Sequence, residues 1–122
     1  MKRFFVISII TLILAFNASP GISKDAAFDA FWLKFNAALK TNDKEAIASM
    51  TRLPYQLENK SLDKKTFVQN CDKIFSKKIR DCLVKQKPVQ DKTTFCAFCG
   101  EDIFVFEKVK DKYLFTEIGV ND

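Results

Sequence analysis

The most regular pattern of apolar and polar positions in the chain lies between Ala26 and Lys40. Apolar side chains recur there at spacings of three, four, seven and eleven residues, and the charged residues lie largely off this stripe. The stripe consists of Phe28, Phe31, Trp32, Phe35 and Leu39. Because aromatic side chains contribute large burial terms, the pattern predicts an amphipathic helix with its aromatic face in a core.

Three shorter helices are predicted after the first. Asn42, with an acidic residue three positions later, resembles a capping box and predicts the start of a second helix. Leu62 to Phe75 has an apolar face at helical spacing and predicts a third helix with Asp63 as its N-cap. Ser76 is expected to cap a fourth.

The last quarter of the chain has the pattern of strands. Thr93 to Val120 contains three runs of strand-forming residues, and only Lys110 to Lys112 separates the second run from the third, which predicts a tight hairpin. Leu53 to Leu57 is expected to be extended, and the polar segment Lys85 to Lys92 is expected to be a loop. The order predicts an α+β domain in which N-terminal helices pack on one side of a curved antiparallel sheet.

The first 23 residues have the layout of a secretory signal peptide. Lys2 and Arg3 precede an apolar run from Phe4 to Phe16, which is too short to cross a bilayer as a helix of about 20 residues. Small residues at Gly21 and Ser23 predict cleavage after Ser23. We therefore expect residues 1–23 to be a signal peptide and 24–122 a single α+β domain that is secreted or periplasmic, with no membrane association after cleavage.

Charge does not favour a nucleic-acid partner. Removing Lys2 and Arg3 lowers the formal net charge from +5 to +3, and the remaining lysines are scattered among acidic residues rather than gathered in a block. Such lysines are typical of a solvated surface. The sequence predicts no nucleic-acid binding.

All four cysteines lie in the predicted mature chain: Cys71, Cys82, Cys96 and Cys99. An even cysteine count in an exported chain predicts disulfides. The preferred pairing is Cys71–Cys82 with Cys96–Cys99, and the alternative ties the third helix region to the first long strand through Cys71–Cys96 or Cys82–Cys99. Zinc is not expected, because four-cysteine zinc sites usually need two close pairs.

The Cys96-Ala97-Phe98-Cys99 motif has a redox interpretation as well. That interpretation needs the first cysteine at a helix N-terminus, where its pKa is depressed, and here a strand follows instead. Thiol–disulfide exchange through Cys96 and Cys99 is therefore kept as a third hypothesis.

Acid–base catalysis has little support. The chain contains no histidine, which removes the commonest general base and the usual metal ligand. Carboxylates and tyrosine remain, namely Asp29, Glu107, Glu117 and Tyr55, and each is more simply explained as a surface or wall residue. The three glycines are isolated, so no phosphate-binding loop is expected.

The order of elements resembles the nuclear transport factor 2-like superfamily. The segments that carry the resemblance are FDAFWLKFNAALKTNDKEAIASM, LPYQLE, KKTFVQNCDKIFSKKIRDCL and IFVFEKVKDKYLFTEIG. The resemblance implies a cone in which the sheet wraps around a pocket that faces the first helix. Members of that superfamily serve as isomerases, dehydratases, carriers and binding modules, so the fold does not choose a function.

The first functional hypothesis is an exported, non-catalytic binding module that holds an apolar small ligand or a protein partner by its pocket or sheet face. The candidate pocket residues are Trp32, Phe35, Tyr55, Phe95, Phe104, Phe106 and Phe115. An open cavity of several hundred cubic ångströms favours a ligand, and a filled interior favours a partner surface. The alternative is a small-molecule isomerase or dehydratase that uses carboxylates. No cofactor is expected, and a homodimer through the sheet is a further hypothesis.

Overall fold

The structure is a computed structural model and describes residues 25–120. The predicted signal peptide, residues 1–23, lies outside the described residues. In chain order the elements are α1 (Ala26–Thr41), α2 (Lys44–Ser49), β1 (Tyr55–Leu57), β2 (Lys60–Leu62), α3 (Lys64–Gln69), α4 (Cys71–Ile74), α5 (Lys77–Leu83), β3 (Val89–Asp91), β4 (Thr94–Cys99), β5 (Asp102–Val109) and β6 (Lys112–Val120).

The first helix is confirmed, but the prediction for Asn42 is wrong. Asn42 ends α1 in the left-handed conformation, with φ of 52°, and its backbone N–H bonds back to the carbonyl of Leu39 at 3.2 Å. Asparagine tolerates this conformation better than most residues do. Asp43 caps α2 instead, with its carboxylate accepting from the backbone N–H of Ala46 at 3.1 Å.

The predicted third helix is broken in two. Asp63 is the N-cap, as expected, and accepts from the backbone N–H of Thr66 at 2.9 Å. Asn70 then interrupts the helix between α3 and α4, and its side chain donates to the carbonyl of Thr66 at 2.8 Å. Such a side-chain bond competes with the helical ladder. Leu62 belongs to β2, where it pairs with Tyr55 in a short antiparallel hairpin.

The four C-terminal strands form one antiparallel sheet in the order β3-β4-β5-β6. Lys110 and Asp111 have φ of 51° and 71° and connect β5 to β6, as a two-residue primed turn requires. A bulge between Val105 and Phe106 bends this pair of strands. The loop prediction for residues 85–92 missed β3, because this exposed edge strand pairs through its backbone and has no apolar alternation.

The core lies between α1 and one face of this sheet. The rings of Phe28 and Phe95 stack at 3.7 Å between centroids, and those of Phe35 and Phe106 meet edge to face at 5.3 Å. Phe75, just after α4, closes the core against Phe115 at 5.0 Å. The predicted α+β class, with helices before an antiparallel sheet, is confirmed. Within residues 25–120, no helix is both long and apolar enough to cross a membrane.

Candidate functional site

The candidate pocket residues fill the interior instead of lining an open space. Six of the seven are at most 5% exposed, and their rings contact one another and the first helix. Tyr55 stacks on Phe115 at 5.6 Å, and Phe104 tilts against the same ring at 6.2 Å. These buried six are Phe35, Tyr55, Phe95, Phe104, Phe106 and Phe115. The interior that they occupy is packed with protein side chains.

Trp32 is the seventh candidate and is only partly buried. One side of its indole meets Phe106 edge to face at 5.4 Å. Its other side lines a surface groove of about 360 Å³ along α1, which we call the α1 groove. The groove is lined by Asp29, Trp32, Leu33, Asn36, Ala37, Lys40 and Val84. Leu33 is the most exposed large apolar residue of the described chain, at 73%.

The second exposed apolar surface is the side of the sheet that faces away from the helices, here called the outer face. Along β4, Phe95, Ala97 and Cys99 are buried, and the alternate residues face outward. Strand pairing places Val89, Cys96 and Val105 in one row, and Phe98 and Ile103 in the next. Phe98 is 41% exposed and Val89 is 56% exposed. The outer face is thus apolar at its centre, where a solvated sheet would alternate to polar residues.

Carboxylates flank this apolar centre. Glu117 continues the row of Val105 on β6, and Asp91 and Glu107 face each other across Thr94. Arg52 lies 3.9 Å from Glu107 and is half exposed. Burial raises the pKa of the Cys96 thiol, and the negative charges of Asp91 and Glu107 raise it further. The outer face therefore combines an apolar centre with acidic margins.

The preferred disulfide pairing is wrong. The structure bonds Cys82 to Cys99, with 6.0 Å between their α carbons, and leaves Cys71 and Cys96 as free thiols. The bridge ties α5 to β4, as one of the alternative pairings predicts. Cys96 cannot replace Cys99 in it, because residues three apart on a strand lie on opposite faces. Burial raises the pKa of the Cys71 thiol to about 11, so this cysteine is a protonated core residue at neutral pH.

The carboxylates and tyrosine considered for catalysis lie in separate places. Asp29 lies in the α1 groove, whereas Glu107 and Glu117 lie at the outer face. Tyr55 is buried beside β6, where burial and the charge of Glu117 raise its pKa to about 12. Among residues 25–120, no group of three or more histidine, cysteine or acidic residues is placed to hold a metal ion. These four groups are therefore spread over the α1 groove, the outer face and the core beside β6.

The sequence analysis named a sheet face as a candidate binding surface but did not identify the residues of the outer face, and it did not predict the α1 groove. Leu33 lies off the aromatic stripe of α1, and Phe98 lies in a run of apolar residues that reads as buried on both sides. The available signal was the strand period itself. Once Phe95, Phe104 and Phe106 are assigned to the core, the strand period requires Cys96, Phe98, Ile103 and Val105 to face outward.

The chain matched none of the protein-family models, curated proteins or solved structures with which it was compared. The resemblance to the nuclear transport factor 2-like superfamily depends on the order of the elements alone and stays a prediction.

Proposed function

We propose that this protein is an exported, non-catalytic binding domain that holds a protein partner on the outer face of its sheet. The observation that carries the proposal is the contrast between a filled interior and an exposed apolar sheet face. Ring contacts such as that of Phe106 with Phe115 at 5.8 Å occupy the space that a small ligand would need. A partner surface can instead cover Phe98, Ile103 and Val105 without any change in the fold.

The chemistry of the outer face defines the kind of partner. Its apolar centre favours an apolar patch on the partner, and Asp91, Glu107 and Glu117 favour lysine or arginine around that patch. Complementary charges of this kind orient the encounter and reject acidic surfaces. The chain as a whole is positively charged, so the preference for a basic partner is confined to the outer face.

The proposed export is consistent with the disulfide. The predicted signal peptide places the domain in an oxidising compartment, where the Cys82–Cys99 bridge would persist. We also propose that the domain is a small member of the nuclear transport factor 2-like superfamily and works as a binding module. Thiol–disulfide exchange through Cys96 and Cys99 stays a prediction, although the structure pairs Cys99 with Cys82 and leaves Cys96 as a free thiol.

The test compares one substitution on the two exposed surfaces. Proteins of the exported fraction are captured on the immobilised wild type and on Phe98→Lys and Leu33→Lys variants, and the captured protein is then purified for binding measurements. We expect Phe98→Lys to bind at least tenfold more weakly, because a lysine meets basic groups on the partner, and Leu33→Lys to bind as the wild type does. Binding should weaken as salt is raised. Equal binding by the wild type and Phe98→Lys would reject the outer face as the site.

A further inference from the structure

The solvent side of α1 is a second surface whose composition is unusual for a helix exposed to water. Leu33 stands at its centre at 73% exposure, between Ala30 and Ala37, which are exposed too. We call this exposed side of α1 the α1 ridge. It forms one wall of the α1 groove, and the other wall includes Val84 after α5. An exposed leucine between small residues leaves a neighbouring helix free to approach closely.

The charges at the two ends of this ridge are arranged symmetrically. Asp29 and Lys40 lie about 8 Å along the helix axis on either side of their midpoint, which falls between Lys34 and Phe35. Trp32 and Ala37 are likewise equidistant from that midpoint, and all four line the α1 groove. We propose that the α1 groove binds a second copy of this chain, with the two α1 helices antiparallel about a two-fold axis at this midpoint.

A two-fold axis at this midpoint brings each residue opposite the residue of the other copy that lies equally far on the other side of the midpoint. Asp29 of each copy then lies opposite Lys40 of the other, which gives two identical ion pairs, one at each end of the contact. Trp32 lies opposite Ala37 of the partner copy, so the large side chain of one helix meets the small side chain of the other. The end charges reach each other only when the helices cross at a shallow angle of about 20°.

The size of the contact sets its strength. The 16-residue helix is about 24 Å long, and a ridge about 10 Å wide covers less area than the roughly 1,200 Å² at which stable specific interfaces begin. The dimer is therefore reversible, with a dissociation constant in the micromolar range or weaker. It uses a surface other than the outer face, so each copy keeps its outer face available for a different partner.

The first test detects the ion pair directly. The protein as isolated from its host is treated at high concentration with a carbodiimide, which joins a carboxylate to an amine in contact with loss of water, and is then digested and analysed by mass spectrometry. Within one copy, Asp29 and Lys40 are separated by about 16 Å along α1, so an amide between them can only join two copies. Mixing isotopically labelled and unlabelled protein confirms that origin. We expect an Asp29–Lys40 peptide; cross-linked dimers without it would overturn the proposal.

The second test exchanges the charges. Asp29→Lys and Lys40→Asp each place like charges opposite each other twice, so each variant alone should dimerise at least tenfold more weakly in sedimentation equilibrium. An equimolar mixture of the two variants should associate at least as tightly as the wild type, because every lysine then faces an aspartate. Lys34→Asp is the matched control, since it lies about 120° around the helix from Lys40 and should leave dimerisation unchanged.

The outcomes separate this proposal from the outer-face function. Loss of the dimer in Leu33→Asp, with partner binding by the outer face retained, supports an α1 dimer. A dimer that survives Leu33→Asp but is lost in Phe98→Lys places the contact on the sheet and overturns the proposal. A wild-type protein that stays monomeric at millimolar concentration overturns it as well.

Discussion

The two faces of the four-stranded sheet are built from alternate residues of the same strands, yet they differ in kind. The inner face is aromatic, and Phe95, Phe104, Phe106 and Phe115 are at most 3% exposed. The outer face is apolar at its centre and carries carboxylates at its margins. The pairing register of the strands thus places aromatic residues on the inner face and apolar and acidic residues on the outer face.

The difference separates residues that the fold needs from residues that it does not. Phe106 contacts the rings of Phe28, Trp32 and Phe35 on α1 at 6.2, 5.4 and 5.3 Å, so it joins the helix to the sheet. Val105, one position earlier, lies partly exposed on the outer face, where it pairs with Cys96 and Glu117. Because the fold does not require an apolar residue there, the apolar outer face is better explained by an interaction.

Removing an inner ring gives the largest expected effect. Phe106→Ala leaves a cavity where α1 meets the sheet, and we expect the free energy of unfolding to fall by about 3–5 kcal/mol. Val105→Ala, the neighbouring control, should cost about 1 kcal/mol or less, because a partly exposed side chain on the surface of the sheet leaves no closed cavity. Urea unfolding followed by far-UV circular dichroism measures both. Similar losses in the two variants would contradict the contrast between the faces.

The cysteines of β4 test the same contrast. Cys99→Ser opens the bridge to Cys82, which closes a loop of 17 residues, and should lower the free energy of unfolding by about 3 kcal/mol. Cys96→Ser changes only a free thiol on the outer face and should have little effect. Unfolding in urea without reductant measures both, and peptide mapping without reduction should recover Cys82 joined to Cys99. A large loss of stability in Cys96→Ser would mean that Cys96, and not Cys99, forms the bridge.

The sequence predicts the inner face well because burial there follows strong periodic signals. The aromatic stripe of α1 and the alternation in β5 and β6 identify Phe35, Phe106 and Phe115 as interior residues. The sequence predicts the ends and interruptions of the helices poorly, because these depend on single residues such as Asn42 and Asn70. The side chain of such a residue can cap a helix, form a turn or interrupt a helix. The Cys82–Cys99 bridge depends on how α5 docks on β4, which local spacing does not determine.

High pH provides a smaller test at the edge of the inner face. The hydroxyl of Tyr113 donates to the carboxylate of Asp25, the N-cap of α1, and burial with this bond raises the pKa of Tyr113 to about 12 from its usual 10.0. A raised pKa in the folded state gives stability that is complete below pH 10 and is lost as the pH rises towards 12.

Tyr113→Phe should therefore lose less stability than the wild type between pH 9 and pH 11.5. Lysine deprotonation occurs in both proteins and cancels in the comparison. Urea midpoints at the two pH values measure the effect, and ultraviolet absorbance follows the tyrosine ionisation. Tyr55, whose pKa is raised to about 12 mainly by burial, contributes in the same range, so Tyr55→Phe is the second comparison. An equal pH dependence in the wild type and Tyr113→Phe would show that burial and the Asp25 contact do not raise the pKa of Tyr113 in solution.

The smallest expected effect concerns the outer face alone. Val105→Thr keeps the branched shape that suits a strand and replaces one methyl group by a hydroxyl that solvent can reach. We expect the free energy of unfolding to change by about 0.5 kcal/mol or less, because Val105 is partly exposed and the substitution creates neither a cavity nor a buried polar group. The measurement is the urea midpoint at low protein concentration, where weak association is absent. A loss of about 2 kcal/mol would mean that Val105 is covered in the isolated protein, because a buried hydroxyl without a partner is costly. Val105 would then be a core residue and not part of an interaction surface.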